Sequence, residues 1–105
     1  MVEIVWAKSA LDGLDDVAEF IAIDNLAAAK RVVEQITNSV DRLQNFPESG
    51  RKIPEILDLP FREIITNPCR VIYKCDKASQ CVYVLGVIRQ EMDLLRYLHN
   101  TNLPS

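Results

Sequence analysis

Apolar residues along this chain follow two different spacings, and the change between them divides it. In the first part they recur every three or four residues, as Ala10, Leu14, Val17, Ala18 and Ile21, then Ala29, Val32, Val33, Ile36, Val40 and Leu43. Such spacing collects them on one face of a helix of ~3.6 residues per turn. Two helices are therefore predicted. Ser9 followed by Asp12 reads as the cap of the first, a shortened relative of the capping box, and its opposite face carries Asp12, Asp15, Asp16 and Glu19. Asp24-Asn25 breaks the pattern and caps the second. Asn45-Phe46-Pro47 ends it, because proline cannot continue a helix and pushes its predecessor toward extended geometry. With so short a connection the two helices should run antiparallel.

Elsewhere the pattern is that of strands. Val2 to Ala7 is β-branched and aromatic, as are Phe61 to Thr66, Cys69 to Cys75 and Gln80 to Ile88, with a turn at Lys77-Ala78-Ser79 joining the last two. Pro47, Gly50, Pro54 and Pro60 mark an irregular passage from helices to strands, with Gly50 read as a turn residue. Met92, Leu95 and Leu98 suggest a short C-terminal helix, and Thr101 to Ser105 is expected to fray.

The order strand, helix, helix, strand, strand, strand predicts an α+β fold. A helical hairpin packs on one face of a small, largely antiparallel four-stranded sheet, in a single domain of residues 1–100. Ile65, Val71, Tyr73, Val82, Val84 and Val87 are more apolar residues than one face of such a sheet needs, so part of it is expected to dock a partner.

Composition adds an ordered globular profile, 49% hydrophobic and 26% charged. The start lacks a basic leader and an apolar run, which points to a cytoplasmic protein with no membrane partner. Three cysteines without a CxxC pair indicate neither a disulfide framework nor zinc; Cys75 and Cys81 flank the hairpin turn, where they would face each other, and are read as reduced. No metal or cofactor is implied. The net charge of −3 is uneven. Residues 1–49 hold four basic and nine acidic side chains, and residues 50–105 hold eight and six. That is a poor electrostatic footprint for nucleic acid, with Lys30, Arg31 and Arg42 set among acids.

Linked blocks run through nearly the whole chain: Trp6-x-x-x-Ala10, Ile21-Ala-x-Asp24-Asn25, Phe46-Pro-x-x-Gly50-Arg51, Pro54-Glu55, Arg62-Glu63 and Arg70-Val-Ile-Tyr73. In their order and spacing the chain resembles the RelE/ParE toxins of type II toxin–antitoxin and plasmid stabilisation systems, and is closer to the ParE-like members. The resemblance implies a growth-inhibiting protein neutralised by a cognate antitoxin. It also implies one of two targets. RelE-like members cut messenger RNA in the ribosome, whereas ParE-like members act on DNA gyrase without RNA chemistry; fold alone does not choose.

RNA cleavage needs a base, an acid and a stabiliser of the charged phosphorane, packed closely. Arg70 matches the family's central-strand arginine, which would bind the scissile phosphate; the alternative is an ion pair with Glu55 or Glu63. Where many relatives end the last strand with histidine, this chain has Ile88-Arg89-Gln90-Glu91-Met92-Asp93. Arg89 remains a phosphate ligand candidate and Tyr97 a proton-transfer candidate, while His99, near the chain's end, reads as solvated. Arg51, Arg62, Arg70 and Tyr73 from the motif blocks, with Arg89 and Arg96, are the candidates for meeting target or antitoxin. The balance favours a ParE-like toxin that binds gyrase. A ribosome-dependent messenger RNA endoribonuclease, or a degenerate non-toxic member, is the alternative.

Overall fold

The computed structural model of the chain describes residues 1–101. Its elements are β1 (Glu3–Trp6), α1 (Lys8–Ala22), α2 (Leu26–Asp41), β2 (Arg51–Lys52), β3 (Arg62–Thr66), β4 (Cys69–Asp76), β5 (Cys81–Arg89) and α3 (Leu94–Thr101), with 3₁₀ turns at Arg42–Gln44 and Pro54–Ile56. The sheet runs β1-β5-β4-β3-β2. Its neighbours are antiparallel except β1 and β5, which are parallel; the helical hairpin carries the chain from β1 at one edge to β2 at the other. This is the expected α+β architecture with one strand more. Arg51–Lys52 pairs with Glu63 and Arg62 at the edge, a strand too short to leave any periodicity. At the other end α3 runs to Thr101, and 102–105, the rest of the tail expected to fray, lies outside the described residues.

Asn25 caps α2 as expected, its Oδ1 accepting from the Ala28 amide at 3.0 Å. Ser9 does not cap α1. The cap position is Ala7, with extended backbone and no side-chain bond, and Ser9 lies inside the helix. Its hydroxyl instead donates to the Leu85 carbonyl at 2.6 Å. The cause is in the sheet: pairing passes from Ile72 with Gly86 to Tyr73 with Val84, which leaves Leu85 as a bulge residue without a cross-strand partner. Its carbonyl needs a donor, and α1 supplies one. Close approach is possible because Gly13 faces the strand, where a Cβ would lie 2.4 Å from the Val87 carbonyl oxygen.

The same bulge resets side-chain alternation along β5. Val82, Val84 and Val87 face the helices and join Ala10, Val17, Ile36, Val40, Leu43, Val71 and Tyr73 in the larger core. Leu85 and Ile88 face the other way, into a second core with Ile53, Ile56, Phe61, Ile72 and Leu94. The second core corrects an expectation. The far face of the sheet is not spare docking surface, because the chain's own 53–61 segment and α3 cover it; of the apolar residues counted as surplus, only Ile65 remains exposed.

Cys75 and Cys81 do not face each other. Cys75 pairs with Val82 and Cys81 with Asp76, so the one-residue offset sends the thiols to opposite faces. All three cysteines are free.

Candidate functional site

Arg70 stands on β4 facing the far side of the sheet, beside Ile65 of β3 and diagonal to Glu63. Burial of a guanidinium is tolerable only when its charge is paired, and here each of its three nitrogens bonds a carboxylate. Nε donates to Glu63 Oε1 at 2.6 Å. The two terminal nitrogens hold Glu55 through 2.8 and 2.9 Å bonds, a bidentate fork. Glu63, itself buried, takes a second arginine, Arg51 Nε, at 2.7 Å. Four alternating charges thus run Arg51, Glu63, Arg70, Glu55, from the sheet edge to the 3₁₀ turn that covers the far face. The Arg70 fork holds the Glu55 carboxyl below its ordinary value, against a smaller opposing effect of burial. Of the two roles open to Arg70, this geometry is that of the ion pair, with both expected carboxylates engaged at once.

Arg89 points the other way. Paired with Cys69, it shares the helix-facing side of the sheet, and its guanidinium carbon sits 3.9 Å from the Phe20 ring centroid on α1. Its NH1 also meets Glu91 at 3.2 Å. Tyr97, on α3, packs against Gly86 and borders a hollow with Ser9, Asp12, Gly13 and Asp16. Burial first, then the Asp16 and Asp12 charges, push its phenol above the ordinary tyrosine value. Arg70, Arg89 and Tyr97 therefore occupy three separate surroundings. Two aspartates face one cation in that hollow, Lys8, which already pairs with Asp12 at 2.9 Å, so the surroundings of Tyr97 are net negative and disfavour a phosphate.

The remaining candidates separate in the same way. Tyr73 is fully buried, and its hydroxyl accepts a 2.8 Å bond from the Gly50 amide. Gly50 is present for that approach and not for a turn conformation, since a Cβ would fall 2.5 Å from the Tyr73 hydroxyl and no glycine has positive φ. Arg62 NH1 donates to the Gly50 carbonyl at 2.8 Å. Together Tyr73, Gly50 and Arg62 tie the loop after α2 to the sheet. Arg51 and Arg96 are exposed, and the first turn of α3 is capped by Asp93, whose Oδ1 accepts from the Arg96 amide at 3.2 Å. His99 is exposed, as expected.

The sequence reading missed the Arg51–Glu63 link and the Phe20–Arg89 contact. The first needed the β2–β3 register, and the second needed the position of α1 over β5. Among the described residues no group of histidine, cysteine and carboxylate side chains could hold a metal ion, and no helix is long and apolar enough to cross a membrane.

Comparison with known proteins gives this hairpin of helices on a mixed sheet its family. Residues 4–94 match the sequence family described as the ParE toxin of the type II toxin–antitoxin system parDE. A curated protein of Sinorhizobium fredii (strain NBRC 101917 / NGR234), named "Putative toxin Y4kP", is 44% identical over 89 residues, covering 83% of this chain and 90% of that protein. The fold is similar to a solved chain of the chromosomal ParDE system of P. aeruginosa, with a TM-score of 0.67 at 19% identity over 87% of this chain and 98% of that one. It is also similar to a chain of the RelBE2 toxin–antitoxin complex of Mycobacterium tuberculosis, with a TM-score of 0.65 at 14% identity over 85% and 98%. The isolated E. coli RelE toxin gives a TM-score of 0.60 at 13% identity over 97% and 98%. The chain belongs to the ParE toxin family of type II toxin–antitoxin systems.

Proposed function

We propose that this toxin arrests growth by binding a protein target, DNA gyrase, and that a cognate antitoxin neutralises it in the cytoplasm, with residues 1–100 forming the toxin domain. The observation that carries the reading is the commitment of Arg70. A phosphate is gripped by a fork of donors, yet the terminal fork of this guanidinium already holds Glu55 and its Nε holds Glu63. Displacing Glu55 or Glu63 by phosphate would leave a carboxylate beside it unpaired. Arg89 and Tyr97 cannot substitute, because one faces the helices and the other sits with Asp12 and Asp16. The surface offered to the target is the exposed end of the molecule around Arg89, Arg96 and α3, where charge is carried without convergent chemistry.

The test is a gyrase supercoiling assay with the purified chain. Inhibition near stoichiometric toxin, relieved by the antitoxin encoded beside it, is expected. Unchanged supercoiling at excess toxin, together with new messenger RNA ends in translating ribosomes, would replace this reading with that of an endoribonuclease. Absence of growth arrest on expression would identify a non-toxic member.

A further inference from the structure

β1 is the end strand of the sheet on the side away from β2, and only β5 pairs with it. Its backbone groups alternate between two directions. The amides of Glu3 and Ala7 donate to the Gln80 and Val84 carbonyls at 3.0 and 2.9 Å, so the odd-numbered residues face β5. The even-numbered residues therefore turn outward. Val2 is satisfied there, its amide donating at 3.0 Å to the Gln44 carbonyl in the 3₁₀ turn after α2. That cover ends with Val2. The amides and carbonyls of Ile4 and Trp6 face outward with no strand beside them among the described residues.

Nothing in the side chains guards this edge. Ile4 and Trp6 pack on the larger core, while Val5, paired with Tyr83, lies on the far face and is 37% exposed. Edge strands are commonly blunted by a lysine, a proline or a bulge. β1 has none of these, and its one charge is Glu3.

We infer that β1 seats a second copy of this chain, paired antiparallel about a two-fold axis through Val5. Backbone and charge select that register together. With Ile4 opposite Trp6 of the second copy, the open amide and carbonyl of each residue are exchanged at both ends of the pairing. Val5 then meets Val5 of the second copy at the non-hydrogen-bonded position, where side chains lie closest. An axis through Ile4 would instead set Trp6 against Val2, whose amide Gln44 already holds. It would also leave the two Glu3 residues only ~7 Å apart along the strands, against ~13 Å for the axis through Val5, which exceeds the screening length of physiological salt. An axis through Trp6 would set Ile4 against Lys8, the first residue of α1. The inference is independent of the gyrase and antitoxin readings.

The experiment uses the whole toxin without its antitoxin. Sedimentation from about 5 to about 500 µM should show monomers giving way to dimers, as a small interface of backbone bonds predicts. Amide exchange at Ile4 and Trp6 should slow by about tenfold or more over that range. Val5→Lys sets two ammonium groups opposite each other and should weaken dimerisation about tenfold or more with the thermal midpoint kept. In a Cys81→Ser background, mild oxidation should cross-link copies carrying Val5→Cys and not those carrying Glu3→Cys, because only Val5 meets itself. A chain that stays monomeric at about 500 µM overturns the inference. So does a dimer in which Ile4 and Trp6 exchange and the effect of Val5→Lys are both null, since another surface then joins the copies. Protection of Ile4 and Trp6 by the antitoxin, with toxin alone monomeric, gives the edge to the antitoxin and overturns it as well.

Discussion

Arg70 and Glu63 form a 2.6 Å ion pair inside the sheet, and the same guanidinium grips Glu55 with its other two nitrogens. The two carboxylates are not equivalent. Glu63 has a fully buried side chain, whereas that of Glu55 is 36% exposed. Removing a buried partner strands an opposite charge and costs about 3–5 kcal/mol, while an exposed pair is worth about 1 kcal/mol or less. Glu63→Ala is therefore expected to lower stability several times more than Glu55→Ala in urea unfolding at pH 7. Equal effects would mean that the network does not bear on the fold.

Acid should loosen the Glu55 fork. The Arg70 bonds hold the Glu55 carboxyl below its ordinary value of 4.5. Its stabilising contribution is present above that value and is lost as pH falls through the lower value of the folded state. The stability difference between the wild type and Glu55→Gln should accordingly shrink between pH 6 and pH 3, measured by urea midpoints. A difference that stays constant with pH would refute the assignment.

At Gly13 helix propensity and packing pull in opposite directions. Alanine gains about 1 kcal/mol in a helix interior relative to glycine. Here the new methyl would sit 2.4 Å from a backbone oxygen of Val87, which cannot rotate away. Overpacking of this kind costs about 1–3 kcal/mol and should prevail, so Gly13→Ala is expected to lower the thermal midpoint. Ser9→Ala, which removes the bond to the Leu85 carbonyl without a clash, should cost about 1–2 kcal/mol.

The cysteines should separate by reactivity. Burial pushes the Cys69 thiol up to about 11, with Glu91 adding to the shift. Burial also raises Cys75, whose Sγ donates to the Pro47 carbonyl at 2.9 Å. Because the thiolate is the reacting species, a disulfide reagent at pH 8 should titrate Cys81 first in the native protein and the other two only on unfolding. Rapid reaction of all three would contradict the packing. An oxidised Cys75–Cys81 pair would contradict the strand register.

By itself the sequence determined the class of the fold and the family. The helical hairpin was legible because Ala29, Ile36, Val40 and Leu43 repeat at the helical period over α2, and Asn25 announces its own cap. The strands were legible from their β-branched runs, and Arg70 as the residue of interest from its place in the motif Arg70-Val-Ile-Tyr73. Tertiary structure alone decided what those residues touch. Whether Arg70 binds phosphate or carboxylate depends on the β3–β4 register and on the 3₁₀ turn that carries Glu55 onto the sheet. The bulge at Leu85 sets which face each residue of β5 presents, and so removed both the spare docking face and the capping role of Ser9. Local periodicity records which residues are buried together within an element. Pairing and packing between separate elements leave no such record, and in this toxin strand pairing places Arg51, Glu63 and Arg70 while the packed 3₁₀ turn places Glu55.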